Sequence, residues 1–425
     1  MKSNQLSLFG SSLKQNQTDD AIVTVSFRNL VPHITETTYL THPIYYYPAK
    51  FIPHVVRYCI DTYTKENDVL ADPFAGSGTV GLEAYLNRRN AFLLDLNPLL
   101  NHIIPIKIYQ GKDSLEATIL DEMLHAVVNS HTSFIPAWSN YQYWYPESML
   151  ETISRYWGGQ KLLDKNIYTQ IIEASLVKIS KHFSYAEHKA PKLFRSKWKQ
   201  KYINQLLQIN WQDELNIKLR ELSFDYLKRI NQFIAYTEDH QNTIAFFGGI
   251  DSSYYQFNNQ TQFDIIITSP PYIQAQEYIR TSKMDLYWLG YTDKEVKRLT
   301  KLEIPYRKAD RIIDTETLQQ FKLKLNRDDL TRIVNAYFCH TINAIENMMC
   351  QLKSGGHACI FIGNPKVDGI EVEIWRILKE YFIEKGYVFQ HVFEDVIKRR
   401  QLFKYRKNKN PSGMKSEFLL VLRKR

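Results

Sequence analysis

Between Asp68 and Asp95 the apolar pattern changes period twice. Val69, Leu70 and Ala71 form a short strand that runs into Asp72-Pro73-Phe74-Ala75-Gly76-Ser77-Gly78-Thr79. After this glycine-rich turn a helix continues through Val80, Leu82, Ala84 and Leu86, and Asn90 to Asp95 reads as a second strand ending in an acid. The run Phe263-Asp264-Ile265-Ile266-Ile267, with Ile265 to Ile267 β-branched, reads as a buried-type strand. Further strands are predicted at Thr243 to Asp251, at His357 to Ile362, and as a closing hairpin-like pair at Val388 to Val396 and Phe418 to Leu422. Helical periodicity appears at residues 273–290, at Leu330 to Leu352, which Gly355-Gly356 should end, and at Ile370 to Lys385. The stretch 106–240 is also helical in pattern, for instance Leu115 to Val128 and Asp213 to Thr237, and has no glycine between 160 and 247. The expected organisation is a polar tail over 1–25, an α/β unit over 26–105, a helical insertion over 106–240, and the rest of the α/β unit over 241–425. A smaller charged insertion is expected at 291–330.

Two of these strand ends carry candidate chemistry. Gly76 and Gly78 allow a tight turn and a close backbone approach to a ligand. Asp95, at the end of the next strand, is placed to bind ribose hydroxyls, by the logic of dinucleotide folds. The strand 263–267 runs into Thr268-Ser269-Pro270-Pro271-Tyr272. Two prolines stiffen this corner and remove two N–H donors. Ser269 Oγ and the Pro270 carbonyl can accept hydrogen bonds from an amino group, while Tyr272 can stack on a planar ring.

Together, Asp72-Pro73-Phe74-Ala75-Gly76-Ser77-Gly78 and Ser269-Pro270-Pro271-Tyr272 resemble the donor and catalytic motifs of the S-adenosylmethionine-dependent DNA amino-methyltransferases, which modify cytosine N4 or adenine N6. A third family element resembles His42 to Pro53, including Lys50 and Phe51. The resemblance covers roughly residues 40–105 and 240–425. It implies a Rossmann-like seven-stranded methyltransferase sheet with helices on both faces, and S-adenosyl-L-methionine as cofactor. Its donor site would comprise Lys50, Phe51, Asp72, Pro73, Phe74, Ala75, Gly76, Ser77, Gly78, Asp95, Asn97 and Asp251. Its catalytic residues would be Ser269, Pro270, Pro271 and Tyr272, acting on a base flipped out of double-stranded DNA. Ser at the first motif position leans toward cytosine N4 in the family, with adenine N6 the alternative. The order of donor motif, long insertion and catalytic motif departs from the order most often seen with Ser-Pro-Pro-Tyr. No Pro-Cys pair occurs, which argues against methylation at cytosine C5. An RNA base N-methyltransferase and a non-catalytic DNA-binding protein on this fold are the remaining alternatives.

Charge adds a surface to this reading. The 425-residue chain carries a net charge of +9, which favours an anionic partner. Residues 178–201 interleave basic and aromatic side chains, and Lys189, Lys192, Arg195, Lys197, Trp198 and Lys199 are the candidate DNA contacts there. Tyr278 and Arg280, past the catalytic corner, are further candidates, and residues 398–415 form a basic linker. Gln5-Leu6-Ser7-Leu8-Phe9 resembles the peptide by which DNA-processing proteins dock on the bacterial sliding clamp. A restriction–modification setting would add a cognate restriction endonuclease as partner. The four cysteines lack metal-binding spacing, no metal site is expected, and no run is long enough to span a membrane. Free buried thiols and the lack of a signal-like N-terminus point to the cytoplasm.

Overall fold

The computed structural model describes residues 21–45, 51–187, 193–273, 277–304, 307–396 and 414–425. The expectations for Gln5 to Phe9, Lys50, Lys189, Lys192 and residues 398–413 lie outside these.

The elements run β1 (Ile22–Val25), α1 (Phe27–Leu30), α2 (Pro53–Tyr63), β2 (Val69–Asp72), α3 (Thr79–Leu86), β3 (Asn90–Asp95) and α4 (Leu100–Lys107). The helical insertion follows as α5 (Ala117–Val128), α6 (Glu147–Lys161), α7 (Ile167–His182), α8 (Lys197–Leu206) and α9 (Trp211–Tyr236). Then come β4 (Ile244–Gly248), β5 (Phe263–Thr268), α10 (Tyr278–Leu289), α11 (Asp293–Leu302), α12 (Glu316–Leu323) and α13 (Asp328–Cys350). The chain closes with β6 (Leu352–Gly363), the short pair β7 (Lys366–Val367) and β8 (Ile370–Glu371), α14 (Ile374–Glu384), β9 (Val388–Val396) and β10 (Ser416–Arg423).

The main sheet has the order β1-β9-β10-β6-β5-β2-β3-β4. β10 runs antiparallel to both neighbours, and the other pairings are parallel. Seven of these strands give the expected Rossmann-like methyltransferase order, in which the chain reverses direction across the sheet between β2 and β5. The eighth, β1, pairs with β9 through Ile22↔Val392 to Val25↔Asp395, so residues 22–25 of the stretch read as tail form a strand. Its alternation Ile-Val-Thr-Val is too short to stand out against the polar residues before it.

One sheet face is covered by α2, α3 and α4, with Val55, Ile60, Val80 and Ile104 in the core. The other is covered by α13 and α14, with Phe338, Ile345, Trp375 and Leu378. A separate apolar core holds the insertion together around Trp157, Ile171, Leu215 and Ile230. That core also takes in Met284, Tyr287 and Trp288 of α10 and Val296 and Leu299 of α11. The segment after the catalytic corner is therefore anchored in the insertion and held over the sheet's carboxyl edge.

Two boundaries differ from the sequence reading. α13 ends at Cys350, and Gly355-Gly356 lie within β6, where the β5–β6 register shifts. Gly355 has φ +80°, and a Cβ on Gly356 would meet the Asp264 carbonyl at 2.8 Å, so the glycines serve a bulge rather than a helix stop. Residues Ile370 to Val372 belong to the β7–β8 turn region, and α14 starts only at Ile374.

Candidate active site

β2, β3 and β5 are adjacent, so the two motifs and Asp95 emerge at the same edge of the sheet. Leu70 and Ala71 pair with Ile265 and Ile266, and Asp72 pairs with Leu93. Ligands in open parallel sheets bind at this carboxyl edge, where the strand order reverses. A cleft partly open to solvent lies there. Its walls are Phe51, Asp72, Phe74 to Ser77, Thr79, Asp95 to Asn97, Ser269, Pro271, Tyr278, Ile279, Glu303 and Ile304.

The turn after β2 is held by its own chemistry. Gly76 and Gly78 have φ +54° and +75°, and a Cβ on Gly78 would sit 2.1 Å from Ile104 Cδ1. A side chain at this φ is strained and would push the Ile104 side chain aside, so the position favours glycine. The turn leads into α3, whose unpaired N-terminal amides and dipole favour an anionic group. Asp95 locks the turn, since Gly76 N–H donates to Oδ2 at 2.6 Å and Asn97 N–H to Oδ1 at 2.7 Å. Burial pushes the Asp95 carboxyl up to about 6 against the pull of these two amides.

Asp72 has a structural part as well. It accepts from Thr268 Oγ1 at 2.6 Å and from Phe74 N–H at 2.9 Å, fastening the donor turn to the catalytic strand. Burial raises its carboxyl to about 7. Asn97 Nδ2 donates to Ser282 Oγ at 3.0 Å and braces α10. Phe51 stacks on Phe361 with ring centroids 5.5 Å apart.

The cleft brings together Phe51, Asp72, Phe74, Ala75, Gly76, Ser77, Asp95, Asn97, Ser269 and Pro271. Pro73, Gly78 and Pro270 belong to the same turns without lining it. Tyr272 is also outside the cleft wall. Its hydroxyl donates to Glu417 of β10, and its ring lies beside Gly363. Asp251 does not reach the cleft: its carboxylate accepts from Arg307 at 2.6 Å and from Ser253 N–H at 3.1 Å. The turn Gly248-Gly249 carries the chain away after β4, which moves that acid past the strand end.

The basic run divides. Lys199 is fully buried, its Nζ donates to the His182 carbonyl at 2.6 Å, and burial lowers its ammonium to about 8, so it cannot neutralise a phosphate. Arg195 lies against the Tyr143 and Tyr185 rings, 4.3 Å from each centroid, and donates to the Tyr143 carbonyl. Lys197 is exposed, and Trp198 is 52% exposed and stacked on Tyr202. Arg280 is half-exposed and pairs with Glu277 at 2.9 Å. Tyr278 lines the cleft rather than an outer surface.

Ile279, Glu303 and Ile304 complete the cleft and lie in or beside the charged insertion, with no motif around them. Glu303 is 5% exposed. Its Oε1 accepts from Ile279 N–H at 2.8 Å, its Oε2 has no hydrogen-bond partner among the described residues, and burial raises the carboxyl to about 7. Among the described residues, Asp310, Cys339 and His340 also cluster within 4.8 Å. There Asp310 already accepts from the Cys339 thiol and the Tyr254 hydroxyl. No helix among the described residues is long and apolar enough to cross a membrane.

Residues 11–104, which include the glycine turn and Asp95, match the family model N6_N4_Mtase, described as DNA methylase. The chain is 24% identical over 298 residues to Type II methyltransferase M.MvaI of Kocuria varians, covering 63% of this chain and 62% of that one. It is 27% identical over 151 residues to Type II methyltransferase M.AvaI of Anabaena variabilis, covering 30% and 31%. It is 31% identical over 90 residues to Type II methyltransferase M.MjaII of Methanocaldococcus jannaschii, covering 21% and 17%. The matched stretch thus spans under two thirds of each relative. Among solved structures, TrmN from Thermus thermophilus aligns at 9% identity and TM-score 0.30, covering 88% of this chain and 49% of that one. TehB from Haemophilus influenzae aligns at 8% and 0.29, covering 89% and 63%. Both superpositions are loose, and the fold assignment rests on the strand order. S-adenosylmethionine is the methyl donor of such proteins, and the cleft suits it in the glycine turn at a helix N-terminus and in a strand-end carboxylate. The family model over residues 11–104 and the Type II relatives support an amino-methyltransferase of the N4-cytosine/N6-adenine kind.

Proposed function

We propose that the protein transfers a methyl group from S-adenosylmethionine to the exocyclic amine of a base flipped out of a specific double-stranded DNA sequence, with cytosine N4 the favoured amine. The observation that carries the reading is the junction of Ser269 and Pro271 with the Gly76 turn and Asp95 at one cleft. Adenine N6 is the alternative, since two acceptors serve either amine. Ser269 is the feature that favours cytosine.

An exocyclic amine is a weak nucleophile because its lone pair is delocalised into the ring. Ser269 Oγ and the Pro270 carbonyl accept its two N–H groups and hold the lone pair toward the donor's methyl carbon. A bound donor would supply the methyl: the S–CH3 bond breaks as the N–CH3 bond forms, S-adenosylhomocysteine leaves as a neutral thioether and the amine's surplus proton passes to solvent, so catalysis is largely orientation. Asp95 takes the ribose hydroxyls, and Phe51 and Phe74 face the apolar parts of the donor. Tyr272, held by Glu417, offers its ring to the flipped base. Lys197, Lys201 and Trp198, exposed on or near α8, form the DNA-contact surface that remains of the basic run. The Type II names of the relatives favour a restriction–modification setting with a cognate endonuclease. Gln5 to Phe9 would add sliding-clamp docking.

The test is transfer of labelled methyl from the donor to duplex DNA and, separately, to tRNA. Label in DNA alone is expected. Label in tRNA alone would replace this reading with RNA methylation, and donor binding without transfer to either would leave a non-catalytic protein.

A further inference from the structure

Among the described residues, the charged side chains on the cleft wall are all acidic: Asp72, Asp95 and Glu303. Two have internal work, because both Asp95 oxygens accept backbone amides and Asp72 Oδ1 accepts Thr268 and Phe74. Glu303 differs. It is buried, belongs to the C-terminal boundary of α11, and presents an oxygen without a hydrogen-bond partner among the described residues. A buried carboxylate oxygen left unpaired is costly unless a ligand supplies the donor.

Building on the donor-site reading, we propose that Glu303 is the ligand for the α-ammonium group of the donor's amino-acid end. The assignment follows from what the donor offers. Its ribose hydroxyls are met by Asp95. Its carboxylate is met by the N-terminal amides of α3. The sulfonium has no N–H or O–H to donate. The ammonium is the remaining charged donor, and a charge-assisted pair with a buried carboxylate is about twice as strong as a neutral hydrogen bond. The adenine amine is the neutral competitor.

Charge accounts for the position of this acid. The groups acting on Glu303 are Glu277, Asp95 and the amides of Tyr278 and Ile279, and burial keeps its carboxyl near 7. A cation beside Oε2 favours the ionised form, so binding should tighten as pH rises through that value. Asp95 titrates lower, near 6, and its contribution remains when Glu303 is replaced.

The experiment is calorimetric titration of wild type, Glu303→Gln and Glu303→Asp with S-adenosylmethionine, S-adenosylhomocysteine and 5′-methylthioadenosine between pH 6 and 8. The first two carry the ammonium and the third lacks the amino-acid end. In Glu303→Gln both ammonium ligands should weaken by about tenfold, the worth of one charge-assisted hydrogen bond. Methylthioadenosine should be unchanged, the pH dependence should fall to the part contributed by Asp72 and Asp95, and Glu303→Asp should recover part of the affinity. Equal weakening of all three ligands, or of none, would overturn the assignment. Weakening of S-adenosylmethionine alone would also overturn it, by pointing to the sulfonium. If Glu303→Gln fails to fold, wild type decides: steeper tightening with pH for the two ammonium ligands than for methylthioadenosine supports the proposal, and an equal slope for all three refutes it. Absence of donor binding to wild type would instead refute the donor-site reading.

Discussion

The turn Asp72 to Asn97 and the basic segment Lys178 to Lys201 both read as functional in sequence, but they use their polar residues differently. In the turn, most residues that stand out in the sequence line the cleft, and Pro73 and Gly78 shape it, because backbone geometry demands them. Gly78 has φ +75° with no room for a Cβ, and Asp95 must accept the amides that close the loop. In the basic segment, charge count misleads. Lys199 is buried against the His182 carbonyl, whereas Lys197 and Lys201, on either side of it along α8, are exposed. A lysine buried along α8 does the work of a core residue, its stem packed and its head satisfied by a carbonyl. A motif fixed by backbone constraints can be read locally, whereas a charged surface can be read only once helix faces are assigned.

The largest effect should come from the first region's catalytic partner. Ser269→Ala should slow methyl transfer by about 10²–10³, as for loss of one preorganised hydrogen-bonding group, with donor affinity retained. Single-turnover transfer of labelled methyl measures it, and near-normal turnover would remove Ser269 from the chemistry.

Next in size is Asp95→Ala. Each charge-assisted hydrogen bond to the ribose is worth about 1.5–3 kcal/mol, so donor affinity should fall at least tenfold. Calorimetry reads this, and unchanged affinity would reassign Asp95 to holding the turn alone.

The smallest effect sharpens the contrast within the basic segment. Lys197→Glu with Lys201→Glu should weaken DNA binding and flatten its salt dependence, by about 0.9 in log–log slope for each phosphate no longer neutralised. Lys199→Glu should instead lower the melting temperature, because it buries an acid where a lysine met a carbonyl. An unchanged slope in the double variant would make α8 an ordinary solvated face.

The same contrast explains what is legible in the sequence. The strand–turn–helix units and the closing antiparallel pair follow from short apolar runs and breakers, and the shared edge of the two motifs follows from parallel pairing. β1 escapes notice because four residues give too little alternation to separate a strand from a polar tail. Asp251 falls away from its expected place because Gly248-Gly249 add length between β4 and the acid, which Arg307 then takes. Glu303 leaves no local mark. Its place depends on Val296 and Leu299 packing into the core of a different insertion, a long-range fact without a sequence period of its own.

The central claim is that the cleft at the joined motifs methylates an amine of a DNA base. Nucleoside mass spectrometry of DNA from a methylation-free host expressing the protein tests it most directly. The account predicts N4-methylcytosine in the wild-type strain and none with Ser269→Ala. N6-methyladenine would move the activity to the alternative base, and absence of any methylated nucleoside in DNA from cells containing folded, donor-binding protein would contradict the claim.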